Sequence, residues 1–95
     1  MPKVEIYSQP FCGYCYRAKR IFEQKNVAYE EIDVMLHPSR RREMIDRAEG
    51  RSTTPQIFID GKGLGGCDDI TVLDQTGELD RLLGIANPPD NGPAP

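Results

Sequence analysis

Long apolar runs are missing from this chain of 95 residues, so no membrane-spanning helix is expected. The opening MPKVEIYSQPF carries one lysine and no apolar stretch. It does not read as a secretory signal, and a cytoplasmic setting with reduced thiols is expected. Cysteine is scarce and odd in number: Cys12, Cys15 and Cys67 exclude a fully paired disulfide framework. A second C-x-x-C is absent, as is any H-x-x-x-H, so a zinc site would need a chance convergence of these three thiols with the lone His37. A strong net charge is missing too. The formal value of -3 gives no global attraction to nucleic acid, and no aromatic platform interleaves Arg40, Arg41, Arg42, Arg47 and Arg51. No internal repeat is found.

What is present is the composition of an ordinary globular domain, 38% hydrophobic and 28% charged. One domain of this size buries roughly 60–65% of its unfolded surface, enough for a core without staples. Residues 1–85 are expected to form it. Residues 86–95 hold four of the eight prolines and almost nothing apolar, and read as a disordered tail. Charge is segregated along the chain. Residues 12–25 carry four basic side chains against Glu23, and residues 37–51 carry five arginines against three acids. From Asp60 onward two basic residues face seven acidic ones. An anionic ligand should therefore favour the first half, where the arginines would attract it or an acidic partner surface.

Hydrophobic spacing gives the elements. Val4 and Ile6 alternate with Glu5 and Tyr7 in a strand over about 3–8. Cys15, Ala18, Ile21 and Phe22 recur at helical spacing from Cys12 to Lys25, with Asn26 as the stop. Residues 27–33 read as a second strand, parallel to the first by the handedness of the crossover. Pro38 opens a second helix with Met44, Ile45 and Ala48 on its apolar stripe and Gly50 as its stop. Gln56-Ile57-Phe58-Ile59 meeting Asp60-Gly61 signals a hairpin, with residues 62–66 returning as a fourth strand. Asp68 or Asp69 is expected to cap a helix carrying Ile70, Val72 and Leu73, and Leu79, Leu82 and Leu83 make a last short one. The sum is an α/β domain, a four-stranded mixed sheet with helices on both faces.

Cys12-Gly13-Tyr14-Cys15 falls between the first strand and the first helix. A cysteine at a helix N-terminus meets free N–H groups and the positive end of the dipole, which favour its thiolate. Arg17, Lys19 and Arg20 are expected to push the same way. Spacing i, i+3 brings both sulfurs to one face, with Cys12 as exposed nucleophile and Cys15 as buried resolving thiol. A C-x-x-C in a βαβ pattern points to thioredoxin-like redox chemistry.

Together with the segments Val4-Glu5-Ile6-Tyr7-Ser8, Arg17-Ala18-Lys19, Thr53-Thr54-Pro55-Gln56-Ile57-Phe58-Ile59 and Gly65-Gly66-Cys67-Asp68-Asp69, this motif resembles the glutaredoxin family, most of all its short bacterial dithiol type, over about residues 3–84. The resemblance implies a thioredoxin fold and a glutathione-dependent oxidoreductase. It would reduce protein disulfides and protein–glutathione mixed disulfides through Cys12 and Cys15, with glutathione as co-substrate and those proteins as partners. It further implies that Tyr14 lines the glutathione site and that Pro55 follows a cis bond exposing the backbone of Thr54 to an incoming cysteinyl peptide. Gly66, Cys67 and Asp68 would hold the γ-glutamyl end by backbone N–H groups and the Asp68 carboxylate. The thiol of Cys67 would be a small buried filler.

Three positions depart from the family pattern. Gly13 replaces the usual proline, adding a backbone donor and loosening the turn. Gln9 stands where a lysine ordinarily meets the glycine carboxylate of glutathione, a loss that Arg42 could offset. Thr54 replaces valine before the proline, a mild change if only its backbone is used. The resemblance also implies a second function through Gly13, since a small residue in place of that proline goes in this family with a glutathione-ligated [2Fe–2S] cluster bridging two protomers through Cys12. Retention of Cys15 and Tyr14 favours the enzyme, expected as a monomer.

Overall fold

Five consecutive buried residues, Val4-Glu5-Ile6-Tyr7-Ser8, form the central strand β1 (Val4–Ser8). The computed structural model describes residues 2–85, so the tail expected over 86–95 lies outside them. Chain order continues with α1 (Gly13–Gln24), β2 (Glu30–Asp33), α2 (Pro38–Arg47), β3 (Gln56–Ile59), β4 (Lys62–Gly65), α3 (Cys67–Thr76) and α4 (Glu78–Leu83). The sheet order is β2-β1-β3-β4. β1 and β2 are parallel with Tyr7 opposite Ile32, whereas β3 runs antiparallel to β1 with Ile57 opposite Ile6. The mixed sheet expected from the sequence is the one observed.

Alternation along β1 splits the core in two. Val4 and Ile6 join Ala18, Phe22, Ile57, Ile70, Leu79 and Leu83 on the face covered by α1, α3 and α4. Tyr7 points the other way, with Ile32, Met44 and Phe58 under α2. Glu5 shares that second face with Tyr7 and is buried despite its charge. Arg47 explains it: the guanidinium lies 3.0 Å from Glu5 Oε1, donates to Tyr7 Oη at 2.8 Å and stacks 4.1 Å from the Phe58 ring centroid. Tyr7 in turn donates to Glu43. A buried carboxylate is tolerable only when paired in this way.

Several local expectations shift by a residue or more, each for a visible reason. The second strand begins at Glu30 rather than 27, because Val27 is taken up by the end of α1. Asn26 adopts the left-handed conformation (φ 58°), with the Val27 amide bonded to Phe22 O and the Asn26 amide to Glu23 O. That pair of bonds is a Schellman motif, with Val27 packed beside Phe22. The stop of α2 is likewise one residue early: Glu49, not Gly50, takes the first left-handed position (φ 56°). The cap of α3 is Gly66 rather than Asp68 or Asp69, and Asp69 reaches back from the third helical position to accept from Gly66 N at 2.9 Å. The Asp60-Gly61 turn behaves as read, with both residues at positive φ (51° and 82°).

Candidate active site

α1 starts one residue after Cys12, which makes Cys12 the residue that caps it. Its sulfur takes the place of the oxygen of a Ser or Asp cap. Cys15 N donates to Cys12 Sγ at 3.2 Å, while Cys12 O accepts the first helical bond from Tyr16 N at 3.1 Å. Across the sheet end, both the carbonyl oxygen and the hydroxyl of Thr54 lie 3.8 Å from Cys12 Sγ. A protonated Cys12 can donate to that carbonyl, and an ionised one can accept from that hydroxyl.

These bonds set the two thiols apart. Burial opposes ionisation of Cys12, but the Cys15 thiol and amide, the Thr54 hydroxyl and the Tyr14 amide together hold its pKa below the ordinary thiol value. Burial pushes Cys15 up to about 11, and its bond to Cys12 adds to the rise. Cys15 is almost fully buried, whereas Cys12 is partly exposed. One sulfur is therefore a ready nucleophile and its neighbour a protonated reserve at neutral pH.

The basic side chains expected to assist Cys12 are engaged elsewhere. Lys19 pairs with Glu31 at 2.9 Å, Arg20 with Glu23 at 3.7 Å, and Arg17 lies over the Tyr14 ring. None of them figures in the lowering of Cys12. Hydrogen bonds at the helix start do that work. Three of the five arginines of the second basic run are also paired, Arg40 with Glu43, Arg47 with Glu5 and Arg51 with Asp69.

A groove of about 290 Å³ runs beside the thiolate, lined by Tyr14, Thr54, Pro55, Gly66, Cys67 and Asp68. Six of the residues singled out in the sequence thus meet on one surface. The Thr54–Pro55 bond is cis. Gln56 is buried and braces the preceding loop, its Nε2 donating to Thr53 O at 3.0 Å. Cys67 is buried at the start of α3, as a filler should be. The Gly66 amide is already taken by Asp69, so the donors left to a ligand are the first-turn amides of Cys67 and Asp68, which a helix cannot satisfy internally.

Gln9 and Arg42 do not line this groove. Gln9 belongs to a second groove on the other side of Cys12, and Arg42 to a separate recess with Pro38, Arg41 and Ile45. In their place the wall contains Arg51 and Asp69, bridged at 3.3 Å. Both were passed over in the sequence, Arg51 as one of a basic run and Asp69 as a helix cap. The available signal was position: Arg51 comes four residues before Pro55 and Asp69 directly after Asp68. The Arg51–Asp69 pair also explains Gly65 (φ 97°), where a Cβ would fall 2.2 Å from Asp69 Oδ2 and 2.9 Å from Arg51 Nη1. Among the described residues no group of three or more His, Cys, Asp or Glu side chains is placed to hold a metal ion. Nor, among the described residues, is any helix long and apolar enough to cross a membrane.

Comparison with known proteins agrees with this geometry. The glutaredoxin family model matches residues 4–64. Glutaredoxin 3 of Escherichia coli (strain K12) is 48% identical over 83 residues, covering 87% of this chain and 99% of that protein. Glutaredoxin 1 of Rickettsia prowazekii is 47% identical over 79 residues, covering 82% of this chain and 83% of that protein. Among solved structures, glutaredoxin from Brucella melitensis superposes with a TM-score of 0.76 at 47% identity, covering 87% and 89% of the two chains. The buckwheat glutaredoxin–glutathione complex superposes with a TM-score of 0.80 at 29% identity, covering 90% and 83%. The residues the family model matches include Cys12, Cys15, Thr54 and Pro55; the chain belongs to the glutaredoxin family, and thiol–disulfide exchange is its chemistry.

Proposed function

We propose that the protein is a glutathione-dependent oxidoreductase that reduces protein disulfides and protein–glutathione mixed disulfides. The observation that carries this reading is the Cys12–Cys15 pair, one pKa lowered and the other raised to about 11, beside a groove of peptide-like size. The buckwheat relative, solved as a complex with glutathione, supports the choice of thiol.

Glutathione occupies the groove along Tyr14, Thr54 and Pro55. Its γ-glutamyl carboxylate meets the first-turn amides of Cys67 and Asp68, after the Gly66 turn, and its ammonium meets the Asp68 carboxylate. Arg51, bridged to Asp69, is the cation on this wall, whereas Gln9 and Arg42 lie outside the groove. Cys12 thiolate attacks the glutathione sulfur of a mixed disulfide, forming Cys12–S–S–glutathione and expelling the protein sulfur as thiolate. A second glutathione thiolate then attacks the bound glutathione sulfur, giving oxidised glutathione and restoring Cys12. On a protein disulfide Cys15 resolves the adduct instead, after surrendering its proton to the first departing sulfur. The test is turnover of a glutathionylated protein with glutathione as reductant. Cys15→Ser should retain it and Cys12→Ser abolish it; equal activity in both variants would overturn the assignment.

A second reading is favoured by Gly13, where a Cβ would meet nothing within 4 Å. That open surface beside Cys12 suits a [2Fe–2S] cluster shared by two protomers and two glutathiones. Anaerobic reconstitution with iron, sulfide and glutathione separates the readings. A colourless monomer that turns over the mixed disulfide supports the enzyme, and a brown dimer with little turnover the cluster carrier.

A further inference from the structure

Cys12 stands between two grooves, and the proposed function uses only one. The second, about 510 Å³, is walled by Pro10, Phe11 and Tyr16, contains Cys12, and ends at Glu31 and Asp33 of β2. Three features set it apart from ordinary surface. Phe11 holds a left-handed backbone (φ 58°), which costs a bulky residue roughly 1–2 kcal/mol, and no burial of its fully exposed ring offsets that cost. Tyr16 is 63% exposed, so two large exposed rings, Phe11 and Tyr16, flank the nucleophile in this groove. The charge at the far rim is negative: the groove ends at the carboxylates of Glu31 and Asp33, with Lys19 bonded to Glu31 at 2.9 Å.

We propose that this groove docks the polypeptide of a disulfide-bonded substrate, selecting an apolar residue next to the reactive cysteine and a basic residue beyond it. The inference rests on Cys12 as nucleophile. Cys12 thiolate attacks one sulfur of the substrate disulfide, forming Cys12–S–S–peptide and expelling the other sulfur as thiolate. A substrate cysteine joined to Cys12 has its flanking chain within reach of the Phe11–Tyr16 wall. An apolar side chain there leaves water against two rings, and a lysine or arginine meets the Glu31–Asp33 end. Cys15 then attacks Cys12, two electrons pass to the substrate, and its second thiol departs.

Trapping in a Cys15→Ser background tests this. The rate of Cys12–peptide adduct formation is read by mass for symmetric peptide disulfides whose cysteine is flanked by Leu and Lys, Leu and Glu, or Ser and Ser. Each rate is divided by that of free glutathione with the same peptide, which removes intrinsic reactivity. Oxidised glutathione, a ligand of the first groove, is the reference. The Leu/Lys peptide should react about ten-fold faster than the other two. Adding Phe11→Asn with Tyr16→Ser should erase most of that preference while leaving the reaction with oxidised glutathione within two-fold; asparagine keeps the left-handed backbone that Phe11 adopts. Equal normalised rates for all peptides would overturn the proposal. So would an equal loss on peptide and oxidised glutathione in the double variant. Failure of the parent to react with oxidised glutathione would instead sink the reading of Cys12 on which the proposal stands.

Discussion

Thr54 offers a quantitative test of how the thiolate is made. Thr54→Val keeps the shape of the side chain and the carbonyl 3.8 Å from Cys12 Sγ, and removes the hydroxyl at the same distance. A hydrogen bond to a charged group contributes roughly 1.5–3 kcal/mol, and a contact this long belongs below that range, at about 1 kcal/mol. That is about a five-fold loss in the thiolate-to-thiol ratio. A more basic thiolate is also a better nucleophile, with a Brønsted coefficient of about 0.4–0.5, which returns about a factor of two. Below the Cys12 pKa the variant should therefore react with a disulfide about 2.5-fold more slowly. Above it, where both proteins are fully ionised, the variant should be about two-fold faster. Thiolate absorbance and stopped-flow rates on both sides of the Cys12 titration measure both limbs, and Thr54→Ser should restore the parent behaviour. Superimposable titrations, or a variant that is slower at every pH, would refute the role given to the hydroxyl.

Other expectations follow from single positions. Cys15 ionises at an ordinary value of 9.0 when unfolded and about 11 when folded. Its contribution is therefore whole below pH 9 and lost as the pH rises to 11, a change of about 3 kcal/mol. Denaturant midpoints of the reduced protein should fall more steeply over that window than those of Cys15→Ala. Gly65→Ala should destabilise by about 2 kcal/mol or more and slow glutathione adduct formation, because the new Cβ displaces Asp69 from Gly66 N. Thermal melting and adduct rate report it together. Glu49→Gly should stabilise by about 1 kcal/mol in denaturant titration by relieving the left-handed residue at the end of α2.

Which parts were legible in the sequence follows from how local their causes are. The existence and order of the strands and helices, and the C-x-x-C motif, rest on periodicity and on chemistry within a few residues, and the Asp60-Gly61 turn needs only its own φ preferences. The misread roles arise where a partner elsewhere in the fold decides, whereas the shifted element ends turn on single backbone conformations. Nothing near Glu5 in the sequence shows that Arg47, 42 residues away, supplies the counter-ion for its burial. Thr54 reads as a neutral replacement because nothing local shows that its hydroxyl faces Cys12. Arg17, Lys19 and Arg20 read as support for the thiolate because their true partners, Tyr14 among them, become neighbours only on the folded helix. Arg51 and Asp69 were hidden for the same reason, since each has an adequate local role until the chain brings them to one wall.

The central claim is that Cys12 attacks and Cys15 resolves, with glutathione as the thiol. Its most direct test is the intact mass, with peptide mapping, of reduced wild type and Cys15→Ser after exposure to oxidised glutathione. Wild type should finish two hydrogens lighter, as a Cys12–Cys15 disulfide. Cys15→Ser should gain one glutathionyl group, mapped to Cys12. An unmodified variant, or an adduct on Cys67, would contradict the account.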